Sequence, residues 1–258
     1  MKRHELSNRR NKILELLQKH GAVNVSQLVD MFHVSEVTIR ADLTRMDNSG
    51  LLRRVHGGAV SLGSKKAYNE MVHNDRMDIN KEEKIRIAKA CAIYIKEGDT
   101  LMLDSGTTNR YVARELSERV NLTVVTNSIF IAQELGFKQI VNVILLGGHL
   151  DTQYQFTYGA DAVSQLEKYR ASKMILSTDG IGVMYGLTTY HSKELDVSRL
   201  MIARSAKVIV AADYSKIGVE GFSNITDISN VDVIVTNKSE NKKELDNIKA
   251  LGIIVEEV

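Results

Sequence analysis

Hydrophobic residues in the first fifty positions recur at helical spacing in three successive runs. Residues three or four apart share one face of a helix, so each run predicts a helix with one buried side. Gly21 ends the first run, Ser26 is placed to cap the second helix, and Ser35 begins the third, which Asn48-Ser49-Gly50 ends. The apolar positions are Ile13, Leu16 and Leu17, then Leu28, Val29 and Phe32, then Ile39, Leu43 and Met46.

A short basic hairpin is predicted after the third helix. Residues Leu51 to Val60 contain Arg53 and Arg54 and turn on the pair Gly57-Gly58. Three helices followed by a hairpin are typical of a winged helix-turn-helix. We therefore predict that residues 1–60 form a mainly α domain that binds DNA.

The next stretch, residues 61–79, is polar and shows little periodicity, which predicts a linker. Asn80 with Glu83 three places later resembles the capping pair of a new helix. That helix is expected to continue to about Gly98, which would make residue 80 the start of the second domain.

Apolar runs beyond residue 98 alternate with helical stretches. Buried strands that alternate with helices form a parallel sheet, so residues 80–258 are expected to be an α/β domain. The strand-like runs are Thr100–Leu103, Leu122–Thr126, Val141–Leu146, Lys173–Ser177, Val208–Ala211, Val231–Thr236 and Ile253–Val255.

Composition narrows the class of protein. A hydrophobic fraction of 43% and a charged fraction of 26% are those of a globular protein, and no apolar run approaches the length of a membrane span. With no signal-peptide core, we expect a cytoplasmic protein without a membrane partner. The lone cysteine, Cys91, falls among apolar helical positions, which favours a buried thiol.

Charge is unevenly distributed. The first 60 residues hold ten Lys/Arg and six Asp/Glu, whereas the remaining residues hold 24 and 26. A basic head on a mildly acidic body favours double-stranded DNA as the partner of the head.

Residues near the start of the third helix are placed to read base edges in a major groove. The candidates are Ser35, Glu36, Thr38 and Arg40. Arg53, Arg54 and His56 on the wing would lie along the phosphate backbone or in the minor groove. The alternative is that Ser35 only caps the helix and Arg40 is a solvated surface charge.

Two segments of the head have a recognisable pattern: Val34-Ser35-Glu36-Val37-Thr38-Ile39-Arg40-Ala41-Asp42-Leu43 and Gly50-Leu51-Leu52-Arg53-Arg54-Val55-His56-Gly57-Gly58-Ala59. In both segments the head resembles that of the DeoR family of bacterial sugar-metabolism repressors. Ala41 departs from the pattern, because the family usually carries a second arginine there.

Turns rich in Asp, Ser, Gly and Thr follow several predicted strands. Ligands of open α/β sheets bind outside the carboxyl ends of the strands, and helix starts with free N–H groups suit phosphate. Phosphate is assigned to Ser105, Gly106, Thr107, Thr108 and Lys216, and sugar hydroxyls to Asp104, Asn127 and Asp179; Gly147 and Gly148 are further candidates. The alternatives are a simple helix start at 104–108, a surface lysine at 216 and an ordinary turn at 179–180.

The body also resembles the DeoR-family sensor. The matching segments include Asp104 to Thr108, Thr126-Asn127, Gly147-Gly148, Gly186-Leu187-Thr188-Thr189 and Ala212-Asp213-Tyr214-Ser215-Lys216-Ile217-Gly218. For residues 80–258 the resemblance implies a fold similar to ribose-5-phosphate isomerase and the CoA transferases. It also implies that this domain senses a phosphorylated sugar as effector and carries the oligomer contacts. Asn109 and His191 depart from the family's usual threonine and acidic residue.

These observations together predict a transcriptional repressor, a homodimer or homotetramer, that a phosphorylated sugar releases from its operator. No catalytic residue, metal site or cofactor is assigned. The rival hypotheses are a sugar-phosphate isomerase with a regulatory head, in which Asp104 or Asp179 would serve as base, and a head that binds protein.

Overall fold

The computed structural model describes residues 9–17, 22–49, 51–55, 58–61, 73–116, 121–136 and 141–258. The chain divides into two compact units between Arg76 and Met77. The first contains the predicted head and the second the predicted body.

Three helices form the core of the head: α1 (residues 9–17), α2 (Val25–Phe32) and α3 (Glu36–Asn48). Their apolar faces meet as the periodicity predicts, and Ile13, Leu28 and Leu43 are at most 1% exposed. Burying side chains of this size stabilises the unit by about 1.5–3 kcal/mol each. The three-helix prediction is confirmed.

The proposed cap of α2 is wrong, whereas that of α3 is confirmed. Helix α2 begins at Val25, directly after an extended Asn24, so Ser26 lies inside its first turn. His33 in a left-handed conformation ends α2 and turns the chain towards α3. Ser35 then accepts a hydrogen bond from the backbone N–H of Thr38.

The wing is a three-stranded antiparallel sheet. Strands β2 (Arg53–Val55) and β3 (Gly58–Val60) form the predicted hairpin, with Arg54 opposite Ala59. Strand β1 (Ala22–Asn24), which the sequence pattern did not predict, pairs with the other edge of β3. Residues 56 and 57, and with them the first glycine of the expected turn, lie outside the described residues.

Within the described residues, seven strands of the body form one parallel sheet, in the order β15-β14-β12-β9-β4-β5-β6. The predicted strand runs are confirmed, with bounds that move by at most a few residues. The strands are β4 (Thr100–Leu103), β5 (Leu122–Thr126), β6 (Val141–Leu145), β9 (Lys173–Leu176), β12 (Val208–Ala211), β14 (Val233–Thr236) and β15 (Ile254–Glu257).

Helices cover both faces of this sheet, because alternate strand residues pack in opposite directions. Leu101 and Leu103 of β4 pack in one apolar cluster and Met102 in the other. The first cluster includes helices α5 (Lys81–Ile93), α6 (Thr107–Leu116) and α7 (Ile129–Gly136). The second includes α8 (Ala160–Leu166), α9 (Leu195–Ala203) and α10 (Lys242–Ala250).

Short antiparallel strands lie in the connections between the parallel strands. Strands β7 (His149–Asp151) and β8 (Phe156–Tyr158) pair with each other, and β10 (Gly180–Gly182), β11 (Gly186–Thr189) and β13 (Ser223–Thr226) form a small sheet. The connection from β9 to β12 thus brings residues that follow β11 back towards the carboxyl end of the main sheet.

Three details around α5 differ from the predictions. Residues His73–Asp78, expected to be irregular, form helix α4, and Met77 is buried in the core of the body. Asn80 has a left-handed backbone and makes no capping bond, because its side chain bonds elsewhere. Helix α5 ends at Ile93 rather than near Gly98, since the next two N–H groups bond three residues back and tighten the last turn.

No helix among the described residues is long and apolar enough to span a membrane.

Candidate DNA-binding surface and effector crevice

Helix α3 keeps one face towards the solvent. Val37 is 77% exposed, and Arg40, Ala41 and Thr44 continue the same face at intervals of three and four residues. Ile39 and Leu43 on the opposite face are fully buried. The exposed face is thus presented by a rigidly packed helix, as a recognition helix requires.

Ser35 and Thr38 form the first turn of α3 together. Their hydroxyl oxygens are 2.8 Å apart, and Ser35 Oγ also accepts from the Thr38 N–H at 3.3 Å. The capping alternative for Ser35 is therefore observed. Both residues remain near the solvent-exposed start of the helix, where they can also meet a phosphate.

Glu36 and Arg40 form an ion pair one turn apart. The guanidinium nitrogens of Arg40 lie 2.6 and 2.7 Å from Oε1 of Glu36, and both side chains are about half exposed. An exposed pair of this kind stabilises a helix by only about 0.5 kcal/mol. Arg40 can therefore exchange Glu36 for a base or phosphate at little cost.

The wing contacts α3 through Arg54, whose guanidinium donates a 2.8 Å hydrogen bond to Thr44 Oγ1. This bond places a wing cation beside the exposed face of the helix. The side chain of Arg53 and the whole of His56 lie outside the described residues, so their assignment stays a prediction.

Asp42 organises the head from the inner side of α3. It is 3% exposed and bonds to two arginines of α1, with Nε of Arg9 at 2.7 Å and Nε of Arg10 at 2.9 Å. Arg9 and Arg10, which contribute to the basic charge of the head, thus link α1 to α3.

In the body, the turns after β4, β5 and β9 meet at the carboxyl edge of the sheet. They carry Asp104 to Thr108, Asn127 and Asp179, and each of these named residues is largely buried except the half-buried Gly106. A Cβ at Gly106 would lie 2.1 Å from Cβ of Ser177, so only glycine allows the first turn to pass this close to the end of β9. Thr107 and Thr108 begin α6, where the helix dipole favours an anion.

Asp104 joins two turns. Its carboxylate accepts hydrogen bonds from the N–H of Ser177 at 3.1 and 3.2 Å, from the N–H of Gly106 at 3.4 Å, and from the side-chain amide of Asn109. Burial and the neighbouring charge of Glu194 raise the pKa of Asp104 well above its usual range, although these donors oppose the shift.

Glu194 reaches into the same crevice from the short turn of 3₁₀ helix (Ser192–Glu194) that follows β11. Its Oε2 accepts from the hydroxyl of Ser105 at 2.8 Å, and its Oε1 accepts from the side-chain amide of Asn127 at 2.8 Å. Burial raises the pKa of Glu194, the two donors lower it, and the charge of Asp179 raises it further. Sequence reasoning did not select this residue.

Asp179 is fixed by the last residue of β11 and by the residue that follows it. Its Oδ2 accepts from the hydroxyl of Thr189 at 3.0 Å and from the N–H of Tyr190 at 3.1 Å. Asp179 is 5% exposed and precedes strand β10, so it is a buried polar residue and not part of an ordinary surface turn.

Lys216 is also buried, at 8% exposure, so the surface-lysine alternative is wrong. It ends the 3₁₀ turn Tyr214–Lys216 after β12, which Asp213 caps. Burial would raise the pKa of Asp213, but the ammonium of Lys216, the Ser215 hydroxyl and the charge of Lys84 outweigh it and lower the pKa. This turn thus places a buried lysine after β12, a strand of the same sheet as β4, β5 and β9.

Gly147 and Gly148 lie close against other elements of the body. The N–H of Gly147 donates to Oε1 of Gln165 in α8 at 2.9 Å. A Cβ at Gly148 would lie 2.6 Å from the carbonyl oxygen of Tyr158 in β8. Packing accounts for both glycines.

Two family models cover both units of the chain. The model of the DeoR-like helix-turn-helix domain matches residues 9–65, and that of the DeoR C-terminal sensor domain matches residues 79–238. The chain belongs to the DeoR family of transcriptional regulators.

DeoR-family relatives align over nearly the whole chain. The HTH-type transcriptional regulator GolR of Listeria innocua serovar 6a is 34% identical over 247 residues, 96% of each protein. The glycerol-3-phosphate regulon repressor of Escherichia coli K12 is 35% identical over 231 residues, 90% of each. Both names are those of regulators.

Among solved structures, the ribose 5-phosphate isomerase A of Methanocaldococcus jannaschii aligns with a TM-score of 0.41 and 15% identity, over 54% of this chain and 55% of that one. A likeness of this degree carries no argument about function.

The two departures from the DeoR-family sensor pattern are accounted for structurally. Asn109 is fully buried and donates to Asp104 and, at 2.7 Å, to the carbonyl oxygen of Ile175. The ring of His191 lies against that of Tyr154, with centroids 4.2 Å apart.

Proposed function

We propose that this DeoR-family protein represses an operon for the use of a sugar, and that a phosphorylated form of that sugar releases it from its operator. One observation supports the proposal above the others. Buried turns after the strands of the main sheet carry a lysine, a helix start and polar groups that could bind hydroxyls, in the same chain as a helix with one exposed face. A ligand with both a phosphate and hydroxyl groups matches that combination.

Within the crevice, we assign the phosphate to the cationic group and the helix start, and the hydroxyl groups to polar and acidic side chains. Thr107 and Thr108 at the start of α6 and Lys216 after β12 would hold the phosphate, with Gly106 allowing its close approach. Asn127 and Asp179 would bind hydroxyl groups. Asp104, whose carboxylate already accepts hydrogen bonds from three donors, would hold the turns in place.

In the head, Arg40 and Glu36 would contact base edges, with Ser35, Thr38 and Arg54 on phosphates. Winged helices bind half-sites as pairs, so a dimer or tetramer is proposed, with its contacts in the body. The effector would act by binding one arrangement of the heads more tightly than the other.

The test is binding of the purified full chain to DNA from upstream of its own operon, at about 150 mM salt, with and without a panel of phosphosugars. We expect one phosphosugar to weaken specific binding at least tenfold, and Lys216→Gln to abolish this response without changing DNA affinity. Specific binding that no phosphosugar changes would contradict the assigned effector.

Two parallel measurements separate the rival hypotheses. Turnover of a phosphosugar, followed by chromatography of the incubated panel, would support an enzyme. Light scattering of the free and DNA-bound protein gives the oligomer size.

A further inference from the structure

Glu194 joins the two turns that the sequence assigns to effector binding. Ser105 follows β4 and Asn127 follows β5, and both donate to the carboxylate of Glu194 at 2.8 Å. The N–H of Ser105 also points to Oε1 at 3.4 Å. The Ser105 groups assigned to phosphate are thus already directed at a negative charge.

The orientation of the Asn127 amide follows from its partners. Nδ2 donates to Oε1 of Glu194 and to the carbonyl oxygen of Thr157 at 3.1 Å, and both are acceptors. If the amide were flipped, Oδ1 would face these two acceptor oxygens and no hydrogen bond could form. Oδ1 of Asn127 is therefore an acceptor, and it is fully buried without a hydrogen-bond partner among the described residues.

A buried acceptor next to a carboxylate is matched by a ligand that donates hydrogen bonds. A phosphate dianion has no proton to donate, and the site is already acidic, since the charge of Glu194 raises the pKa of Asp104 and the charge of Asp179 raises that of Glu194. A sugar hydroxyl both donates and accepts, so it satisfies this part of the crevice. Phosphate is repelled from it.

The cationic group, Lys216, follows a strand that lies some way along the sheet from the strand that precedes Asn127. Lys216 follows β12, and the sheet order β12-β9-β4-β5 places the end of β12 three strand spacings from the end of β5. The backbone ends of the two strands are therefore about 14 Å apart along the sheet edge. Side chains that extend towards each other from these two ends leave a gap of about the length of a sugar phosphate.

We infer that Glu194, with Asn127, binds the hydroxyl groups of the effector and so orients it, with its sugar towards these two residues and its phosphate towards Lys216 and the start of α6. The inference rests on the proposed function and revises one assignment made from the sequence, because Ser105 then belongs to the sugar side. Glu194 becomes a specificity-determining residue of the sensor.

The test uses calorimetric titration of the full chain with glucose 6-phosphate, fructose 1-phosphate, ribose 5-phosphate, glycerol 3-phosphate and inorganic phosphate. Glu194→Gln keeps the shape of the side chain and removes its charge. The matched control is Asp196→Asn, an exposed residue two places later. We expect Glu194→Gln to weaken the best phosphosugar about ten- to a hundredfold and to leave inorganic phosphate unchanged, with no effect of Asp196→Asn. Lys216→Gln should weaken both ligands.

Deoxy analogues of that phosphosugar distinguish a contact from a structural effect. The analogue that lacks the hydroxyl bound by Glu194 should lose affinity for the wild type but no further affinity for Glu194→Gln. Independent losses in every analogue, or an equal loss of inorganic phosphate, would overturn the inference.

Failure of the inference and of the proposed function are distinguishable. A phosphosugar that binds Glu194→Gln as tightly as wild type and still releases DNA leaves the proposed function intact and refutes the role of Glu194. If neither phosphosugars nor phosphate bind the wild type, the proposed effector is wrong, and the inference is wrong with it.

Discussion

Asn80 donates a 2.9 Å hydrogen bond from its side-chain amide to Oδ1 of Asp213, a residue 133 positions later. Asn80 directly precedes α5 with φ 50° and ψ 40°, and Asp213 opens the turn that contains Lys216. The bond therefore attaches the start of α5 to the cationic turn of the crevice. Asn is among the few residues other than glycine that adopt this backbone conformation readily.

Replacing Asn80 tests how much this bond stabilises the body. Asn80→Ala removes a bond to a charged acceptor, about 2 kcal/mol, and strains a left-handed position by about 1 kcal/mol more. Asn80→Gly removes only the bond, so its loss should be about 2 kcal/mol. Eight of the nine tyrosines lie in the body, none lies in residues 1–60, and the chain has no tryptophan, so tyrosine fluorescence during urea unfolding can follow the body. Equal stabilities of all three proteins would contradict the assignment.

The sequence predicted the parts of the fold that repeat. Runs such as Val208–Ala211 became buried strands with unchanged bounds, because an uninterrupted apolar run between helices has few other structures. Strand β1 was missed, since three residues carry no detectable period. The misplaced cap at Ser26 has the same origin, because the strand that ends at Asn24 fixes where α2 begins.

The candidate site was predictable only where one turn contains the signal. Asp104 to Thr108 could be selected from local composition. Glu194 could not, because it meets Ser105 and Asn127 across 89 and 67 residues through the fold of β10 and β11. Lys216 was selected as a candidate from the sequence, but its burial could not be predicted from its neighbours in sequence.

The raised pKa of Glu194 predicts that the carboxylate destabilises the unliganded body at neutral pH. An acid whose pKa in the folded state lies above its ordinary value of 4.5 binds protons more tightly when folded, so stability falls as pH rises through the raised pKa. Glu194→Gln removes this dependence. The variant should therefore be more stable than wild type at about pH 7.5, with a smaller difference at about pH 5. Urea unfolding at the two pH values measures this, and a difference independent of pH would contradict it.

Asp42 is predicted to be a stability residue of the head. Asp42→Asn removes the buried counter-charge of Arg9 and Arg10, which should lower the free energy of unfolding of the head by about 3 kcal/mol. Asp47→Asn makes the same change on the same helix, at a partly exposed position without a side-chain hydrogen bond among the described residues, and should change stability by less than about 0.5 kcal/mol. Hydrogen exchange of backbone amides in residues 22–49 reports on the head alone. Similar exchange in the two variants would show that the arginine pairs contribute little.

Cys91 should be unreactive in the folded protein. It is fully buried in the core of the body, and burial together with the charge of Glu256 raises the pKa of its thiol far above neutrality. A thiol reagent at about pH 8 should therefore label it only after unfolding in urea. Rapid labelling without denaturant would mean that the helix carrying it opens locally.

Arg40 offers the sharpest test of the recognition helix. Arg40→Ala should weaken specific operator binding by about 1–3 kcal/mol, because a bidentate contact to a base is lost, and should weaken non-specific binding much less. Arg45→Ala is the matched control, since this exposed arginine lies five residues on, roughly 140° around α3 from Arg40. It removes the same charge from a different face. Fluorescence anisotropy with operator and scrambled DNA separates the two effects: equal losses for both variants on both DNAs would mean that α3 contributes charge alone and that another element reads the sequence.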